Sequence, residues 1–265
     1  MSYLAGPRPR LFAHRGASGL APENTIEAFR SGLAAGADRL ELDVHASRDG
    51  HIVVFHDDTL DRTTEAGGLL RERTLAELKQ LDAGYRFEDE AGRFPYRGKG
   101  IRIPTLAEVL EIFPGVPLNV EVKYDDGRTV EAYFELLQRY GARDRVLSAA
   151  FEDPILQRLR TVSPEAVTSL SAEEVADFVG RCLGGSFEGY QAPGRALQVP
   201  PRYEGIEIVT PDFIAAAHRF GMEVHVWTIN DEAEMNRLLD LGVDGIMSDF
   251  PSRARAVLEK RGLRP

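Results

Sequence analysis

Cysteine is nearly absent from this chain. Cys182 stands alone among 265 residues, which excludes an internal disulfide framework and a multi-cysteine metal site. One unpaired thiol fits a reducing compartment and reads as a small packing residue. Positive charge is also in deficit: 32 Lys and Arg face 42 Asp and Glu, a formal charge of −10. Long-range repulsion then disfavours nonspecific binding to nucleic acid or to an anionic membrane surface, so an anionic substrate would need local cations. No apolar run approaches the length of a membrane span, and the start, MSYLAGPRPRLFAHRG, has no stretch long enough for a signal peptide. A soluble cytoplasmic protein without a stable membrane anchor is expected. Neither G-x-G-x-x-G nor G-x-x-x-x-G-K-[ST] is present to support nucleotide binding.

The stretch that stands out is residues 39–58, RLELDVHASRDGHIVVFHDD. Residues 40–44 read as a buried strand, and alternation puts Glu41 and Asp43 on one face. Two carboxylates on an apolar strand are costly unless a cation lies between them. Asp49-Gly50 is a strong hairpin signal, because both central residues of a type I′ turn need φ > 0. With a two-residue loop, the return strand would place His56 directly opposite Asp43, Cβ atoms about 5 Å apart.

Taken in order, residues 11–14 form a short strand, followed by a loop and a helix over residues 24–37. Asn24 is the expected N-cap, with Glu27 at the capping-box position. After the hairpin, residues 57–104 look like an insertion that contains one helical segment, 74–81. Strands at 118–122, 145–149, 166–170, 197–199, 223–227 and 245–247 then alternate with helices. Eight strand-helix alternations over this length imply one closed (β/α)₈ TIM barrel covering residues 1–265, with the insertion hung on the second unit. A doubly wound open sheet is the competing architecture.

In such a barrel, functional groups gather at the C-terminal ends of the strands. His14 and Arg15 close the first strand, Glu41 and Asp43 lie on the second, and Glu121 and Lys123 end the third on one face. Trp227 closes the seventh strand and Asp249 follows the eighth. Glu41, Asp43 and Glu121 offer an all-oxygen site suited to Mg²⁺ or Ca²⁺ rather than zinc. Arg15 and Lys123 would supply positive charge to a phosphate, the alternative for Glu121 and Lys123 being a salt bridge that closes the barrel floor or rim. Trp227 is either core or a wall for substrate. His45, His51, His218 and His225 are expected to be structural or solvated, since none sits at the C-terminal end of a predicted strand.

The blocks HRGASGLAPENTIEAF, ELDVHASRDGHIVVFHD, IPTLAEVLE, EVK and VWTINDEAEMNRLLDLGVDGIMSDFP resemble, in order, those of the glycerophosphodiester phosphodiesterase family. The resemblance spans nearly the whole chain. It implies a TIM barrel with an insertion after the second strand and one divalent cation at the site. It implies Glu41, Asp43 and Glu121 as metal ligands, His14 and His56 as the acid-base pair, and Arg15 and Lys123 as phosphate contacts. Glu23, Asn24 and Asp249 would support them. Ser248 stands where many members carry threonine, and residues 184–203 match loosely and are expected to shape the alcohol pocket.

The implied reaction is hydrolysis of a glycerophosphodiester to sn-glycerol 3-phosphate and an alcohol. One histidine would act as base and the other as acid, in either assignment. The nucleophile is water, or a neighbouring glycerol hydroxyl that first gives a cyclic phosphate. Rival readings are a lysophospholipase D or sphingomyelinase D type enzyme on the same scaffold, a phosphoinositide-specific phospholipase C, and a noncatalytic phosphodiester-binding barrel. A lipid enzyme would require an apolar channel, and no exposed apolar run signals one. Soluble substrates such as glycerophosphocholine or glycerophosphoethanolamine are therefore expected.

Overall fold

The computed structural model describes residues 2–264. Eight parallel strands form the barrel wall: β1 (Arg10–Ala13), β2 (Arg39–Ala46), β3 (Leu118–Val122), β4 (Val146–Ala149), β5 (Val167–Thr168), β6 (Ala196–Val199), β7 (Glu223–Val226) and β8 (Gly245–Ser248). Their hydrogen-bonded order runs β5-β4-β3-β2-β1-β8-β7-β6. A single parallel bridge, Ser169 to Ala196, links the two ends and nearly closes the barrel. Helices pack outside it, and several start where the sequence supplies a cap. Thr105 with Glu108 and Ser171 with Glu174 form reciprocal capping boxes, each satisfying two otherwise unpaired N-terminal donors.

Three local expectations are corrected. The hairpin after β2 pairs Val44 with Val54 and Ala46 with Ile52. Ser47 N–H donates to the His51 carbonyl at 2.9 Å, so the loop is the three residues Arg48, Asp49 and Gly50. Gly50 has φ +82°, the left-handed position that a three-residue hairpin reserves for glycine. Asp43 therefore faces Phe55, whose N–H donates to the Asp43 carbonyl at 3.0 Å. A one-residue slip would send His56 to the wrong face of a continuing strand. The return strand ends at Val54, and His56 reaches the barrel mouth because the chain has already left the ladder.

The first helix, Ile26–Ala34, is capped by Thr25 and not by Asn24; the Thr25 side chain accepts from Ala28 N–H. Asn24 sits at φ +57°, a conformation that asparagine tolerates better than most residues. Its amide is spent on β2: Nδ2 donates to Asp43 Oδ2 at 2.9 Å, and Asp43 N–H donates back to Oδ1 at 3.3 Å. The helix expected over residues 74–81 is shorter, Leu75–Leu78, and follows a 3₁₀ turn at Leu70–Glu72. The inserted segment has its own apolar cluster, in which Leu60, Leu70, Leu78, Ile101 and Ile103 pack on Val53 and Phe55.

At the N-terminal end of the barrel, Arg10 is fully buried and forms a bidentate pair with Glu223, both distances 2.6 Å. Glu223 also pairs with Arg8 at 2.7 Å and with His225 Nε2 at 2.9 Å. Despite burial, Arg10 and His225 hold the Glu223 carboxyl well below the usual range. This floor leaves the opposite end of the barrel open for chemistry.

Candidate active site

The C-terminal ends of the strands surround a cavity of about 390 Å³ lined by His14, Arg15, Glu41, Asp43, His56, Glu121, Lys123 and Trp227, with Asn119, Phe151 and Gln198 among the other lining residues. The eight foremost candidates from the sequence thus converge on one space. Glu23, Asn24 and Asp249 stand behind them and contact them directly.

Strand alternation explains the carboxylates. Glu41 and Asp43 lie two residues apart on β2, and Asp43 is paired across the ladder with Glu121 of β3. One oxygen of each of the three carboxylates lies within 4.8 Å of the others. Lys123 Nζ reaches Glu121 at 2.9 Å and Asp43 at 3.1 Å, so the salt-bridge reading and the site reading both describe it. Burial works against the Asp43 carboxylate, but Lys123, His56 and Arg15 outweigh it and hold the group low. Burial and the charge on Asp43 push Glu41 up. A buried pair in which one carboxyl resists ionisation because of the other is what a hard cation relieves, and three carboxylate oxygens are suitable donors.

Each histidine of the site is oriented by an aspartate. His14 Nδ1 lies 2.6 Å from Asp249 Oδ1, and His56 Nδ1 lies 2.6 Å from Asp57 Oδ1. An imidazole held at Nδ1 exposes Nε2; that of His14 points towards the cluster, 4.0 Å from Glu41. Burial opposes charge on His14, but the Asp249 hydrogen bond and the Glu41 carboxylate prevail and raise its pKa. Asp249 is held down to about 2 against its burial by His14, Ser18 and Asn230. Asp57 is likewise held down to about 2 against burial by Arg62 and His56.

Arg15 adopts φ +48°, a strained conformation for a residue with a side chain. In that pose its backbone N–H donates to Glu41 Oε2 at 2.8 Å and its guanidinium reaches Glu23 at 3.2 Å. Its Nε is buried without a hydrogen-bond partner, 3.6 Å from Asp43. Arg15 also lines the cavity, where its fixed positive charge suits an anionic ligand.

Several contributors escaped sequence reasoning. Asp57 was visible as the residue after His56, but its role depends on side-chain direction. Arg62, from the inserted segment, ties Glu23 to Asp57 with contacts of 2.6 Å to each; no sequence signal marks it. Asn119 lies two residues before Glu121 on β3, where the period of two could have found it, and accepts from Gln198 Nε2 at 2.7 Å. His45 does sit near the C-terminal end of β2, contrary to expectation, and its Nε2 lies 3.0 Å from the His56 carbonyl. His218 pairs with Asp244 at 2.7 Å and His225 is fully buried with its Nδ1 3.3 Å from Gln198; neither lines the cavity, and His51 is exposed.

Among the described residues, no helix is long and apolar enough to cross a membrane. Residues 14–253 match the profile of the glycerophosphoryl diester phosphodiesterase family. A glycerophosphodiester phosphodiesterase from Bacillus altitudinis is 34% identical over 260 residues, covering 95% of this chain and 98% of that one. Another from Caldanaerobacter subterraneus subsp. tengcongensis is 32% identical over 259 residues, with the same coverage of 95% and 98%. An Oleispira antarctica phosphodiesterase, solved in complex with the product sn-glycerol-3-phosphate, superposes with a TM-score of 0.76 at 29% identity and covers 95% of this chain and 97% of that one. The chain belongs to the glycerophosphoryl diester phosphodiesterase family.

Proposed function

We propose that this chain hydrolyses glycerophosphodiesters to sn-glycerol 3-phosphate and an alcohol, with His14 and His56 as the acid-base pair and one Mg²⁺ or Ca²⁺ held by Glu41, Asp43 and Glu121. The observation that carries the reading is the matched pair of imidazoles, each with Nδ1 fixed 2.6 Å from an aspartate. A phosphodiester needs a proton removed at the attacking oxygen and another delivered to the departing alkoxide. Two histidines flanking one anion site supply both. A neutral imidazole held at Nδ1 keeps its Nε2 lone pair for the first task, and the same aspartate stabilises the imidazolium required for the second.

Arg15 and Lys123 bring fixed positive charge to the nonbridging oxygens, where it counts most as charge builds in the transition state. The bound cation would add Lewis-acid polarisation of the phosphoryl group. Trp227 and Phe151 provide an apolar part of the cavity wall. A cavity of about 390 Å³ falls in the range that holds a small organic ligand, and glycerophosphocholine and glycerophosphoethanolamine are the proposed simplest substrates.

Removing either imidazole tests the assignment. His14→Ala and His56→Ala should each lower kcat roughly 10²–10⁴-fold, the usual worth of a positioned acid or base, with circular dichroism unchanged. Turnover within a few-fold of wild type in either variant would contradict it.

A further inference from the structure

The two site histidines are steadied by different parts of the fold. Asp249, behind His14, is held from within the barrel by Ser18 and Asn230. Asp57, behind His56, is held by Arg62 of the inserted segment. Arg62 Nε donates to Asp57 Oδ2 at 2.6 Å, and Nη2 donates at 3.0 Å to Oδ1, the oxygen that also faces His56 Nδ1. The same guanidinium grips Glu23, with Nη1 on Oε2 at 2.6 Å and Nη2 on Oε1 at 2.7 Å. Arg15 reaches Glu23 through one longer contact, 3.2 Å to Oε1. A planar fork of donors suits a grip on two carboxylates at once. Its backbone is pinned at the base of a loop, where Leu60 N–H donates to the Gly68 carbonyl at 3.0 Å and Leu70 N–H to the Asp58 carbonyl at 2.9 Å. Leu60 and Thr64, two residues to either side of Arg62, are fully buried.

Resting on the function proposed above, we infer that Arg62 is a positioning residue with two separable tasks: it holds Asp57 in the orientation that fixes His56, and it occupies Glu23 so that Arg15 stays available to the cavity. Without Arg62 the Asp57 carboxylate keeps His56 as a partner but loses both contacts that stop it rotating, and the imidazole loses its fixed direction. A misplacement of about 1 Å at a reacting group can cost about 10²-fold in rate. Glu23 acts on Arg15 in the opposite sense. Its side chain is only 17% exposed, so once stripped of Arg62 it must draw in the remaining cation. The single Arg15 contact then tightens into a two-pronged pair that withdraws the guanidinium from phosphate. The first effect falls on kcat and the second on KM. The inserted segment thereby governs both the acid-base side and the anion-binding side of the site.

The test compares Arg62→Gln, Arg62→Lys and the double variant Arg62→Gln/Glu23→Gln with wild type, each metal-loaded, on glycerophosphocholine. The Arg62 side chain is 46% exposed, so the variants should fold, which circular dichroism checks. Arg62→Gln should lower kcat roughly 10–100-fold and raise KM about tenfold, the lower end for a hydrogen bond to a charged group. Calorimetric titration with inorganic phosphate should show the same loss of affinity, and the imidazole ¹⁵N shifts of His56 should move towards those of an unrestrained ring. Adding Glu23→Gln should return KM and phosphate affinity to within about threefold of wild type while kcat stays low. Lysine keeps the charge without the fork and should leave kcat close to that of Arg62→Gln. Full recovery of kcat by lysine would reduce Arg62 to background charge and overturn the positioning role. Unchanged His56 shifts would overturn the first task, and a KM that Glu23→Gln fails to restore would overturn the second. If the folded wild type does not cleave glycerophosphocholine, the functional reading falls, and the His56 shifts and phosphate affinities then decide the role of Arg62 on their own.

Discussion

Asp249→Asn should disable His14 without removing it, and the hydrogen bonds around Asp249 show why. Oδ1 of Asp249 faces His14 Nδ1 at 2.6 Å and accepts from Ser18 Oγ at 2.6 Å, while Oδ2 accepts from Asn230 Nδ2 at 2.7 Å. Asn230 cannot turn over, because its own Oδ1 accepts from Ser248 Oγ and from the Asp249 N–H, both at 3.0 Å. An asparagine at 249 must therefore keep its oxygen towards Asn230 and place its NH₂ against His14 and Ser18. The serine hydroxyl can switch from donor to acceptor. The imidazole must then accept at Nδ1, which moves its proton to Nε2 and occupies the atom that faces the carboxylate cluster. Loss of the carboxylate also lowers the imidazolium population, so both the base and the acid role suffer. The cost should approach the full worth of a general acid or base, roughly 10²–10⁴ in kcat, or about 3–5 kcal/mol at 1.36 kcal/mol per tenfold. Steady-state kinetics on glycerophosphocholine and the imidazole ¹⁵N shifts of His14 report rate and tautomer separately. A shifted tautomer with kcat within threefold of wild type would refute the reasoning.

Two further predictions concern the scaffold. Glu223→Gln breaks a buried pair and should cost roughly 3–5 kcal/mol, a fall in Tm of about 6–20 °C at about 2–4 °C per kcal/mol. Because Glu223 is held below its ordinary value, its stabilisation is complete above the ordinary carboxylate range and is lost as pH falls through the depressed folded value. The gap in Tm between variant and wild type should therefore be flat near neutrality and close below about pH 4; a gap that widens with acid would contradict this. Thr25→Ala removes the cap of the first helix and should cost about 1 kcal/mol, measured by urea denaturation. The matching Asn24→Ala change should instead weaken the site through Asp43.

The repeating strand-helix pattern and the paired carboxylates were legible because both are local, set by periods of two and 3.6 residues. What failed was decided at longer range or by near-degenerate chemistry. Asp49-Gly50 suits a two-residue turn and equally the last two residues of a three-residue loop, and only the observed pairing of Val44 with Val54 distinguishes them. Asn24 and Thr25 are both good caps, and Asn24 is withdrawn from that role by Asp43 on a different element. Arg62 reaches the site from the inserted segment, whose packing has no sequence period. The apolar cleft beside the active-site cavity was invisible because Phe151, Leu183, Tyr203 and Ile206, which line it, come from separate segments. Each alone reads as an ordinary exposed side chain.

The central claim is a cation-dependent phosphodiesterase, and metal exchange tests it most directly. Purified protein stripped with EDTA and followed by ³¹P NMR should leave glycerophosphocholine intact. Mg²⁺ or Ca²⁺ should then restore release of sn-glycerol 3-phosphate, and Asp43→Asn and Glu121→Gln should weaken binding of the restoring ion in calorimetry. Full turnover by the stripped enzyme, or restoration unaffected by both substitutions, would contradict the account.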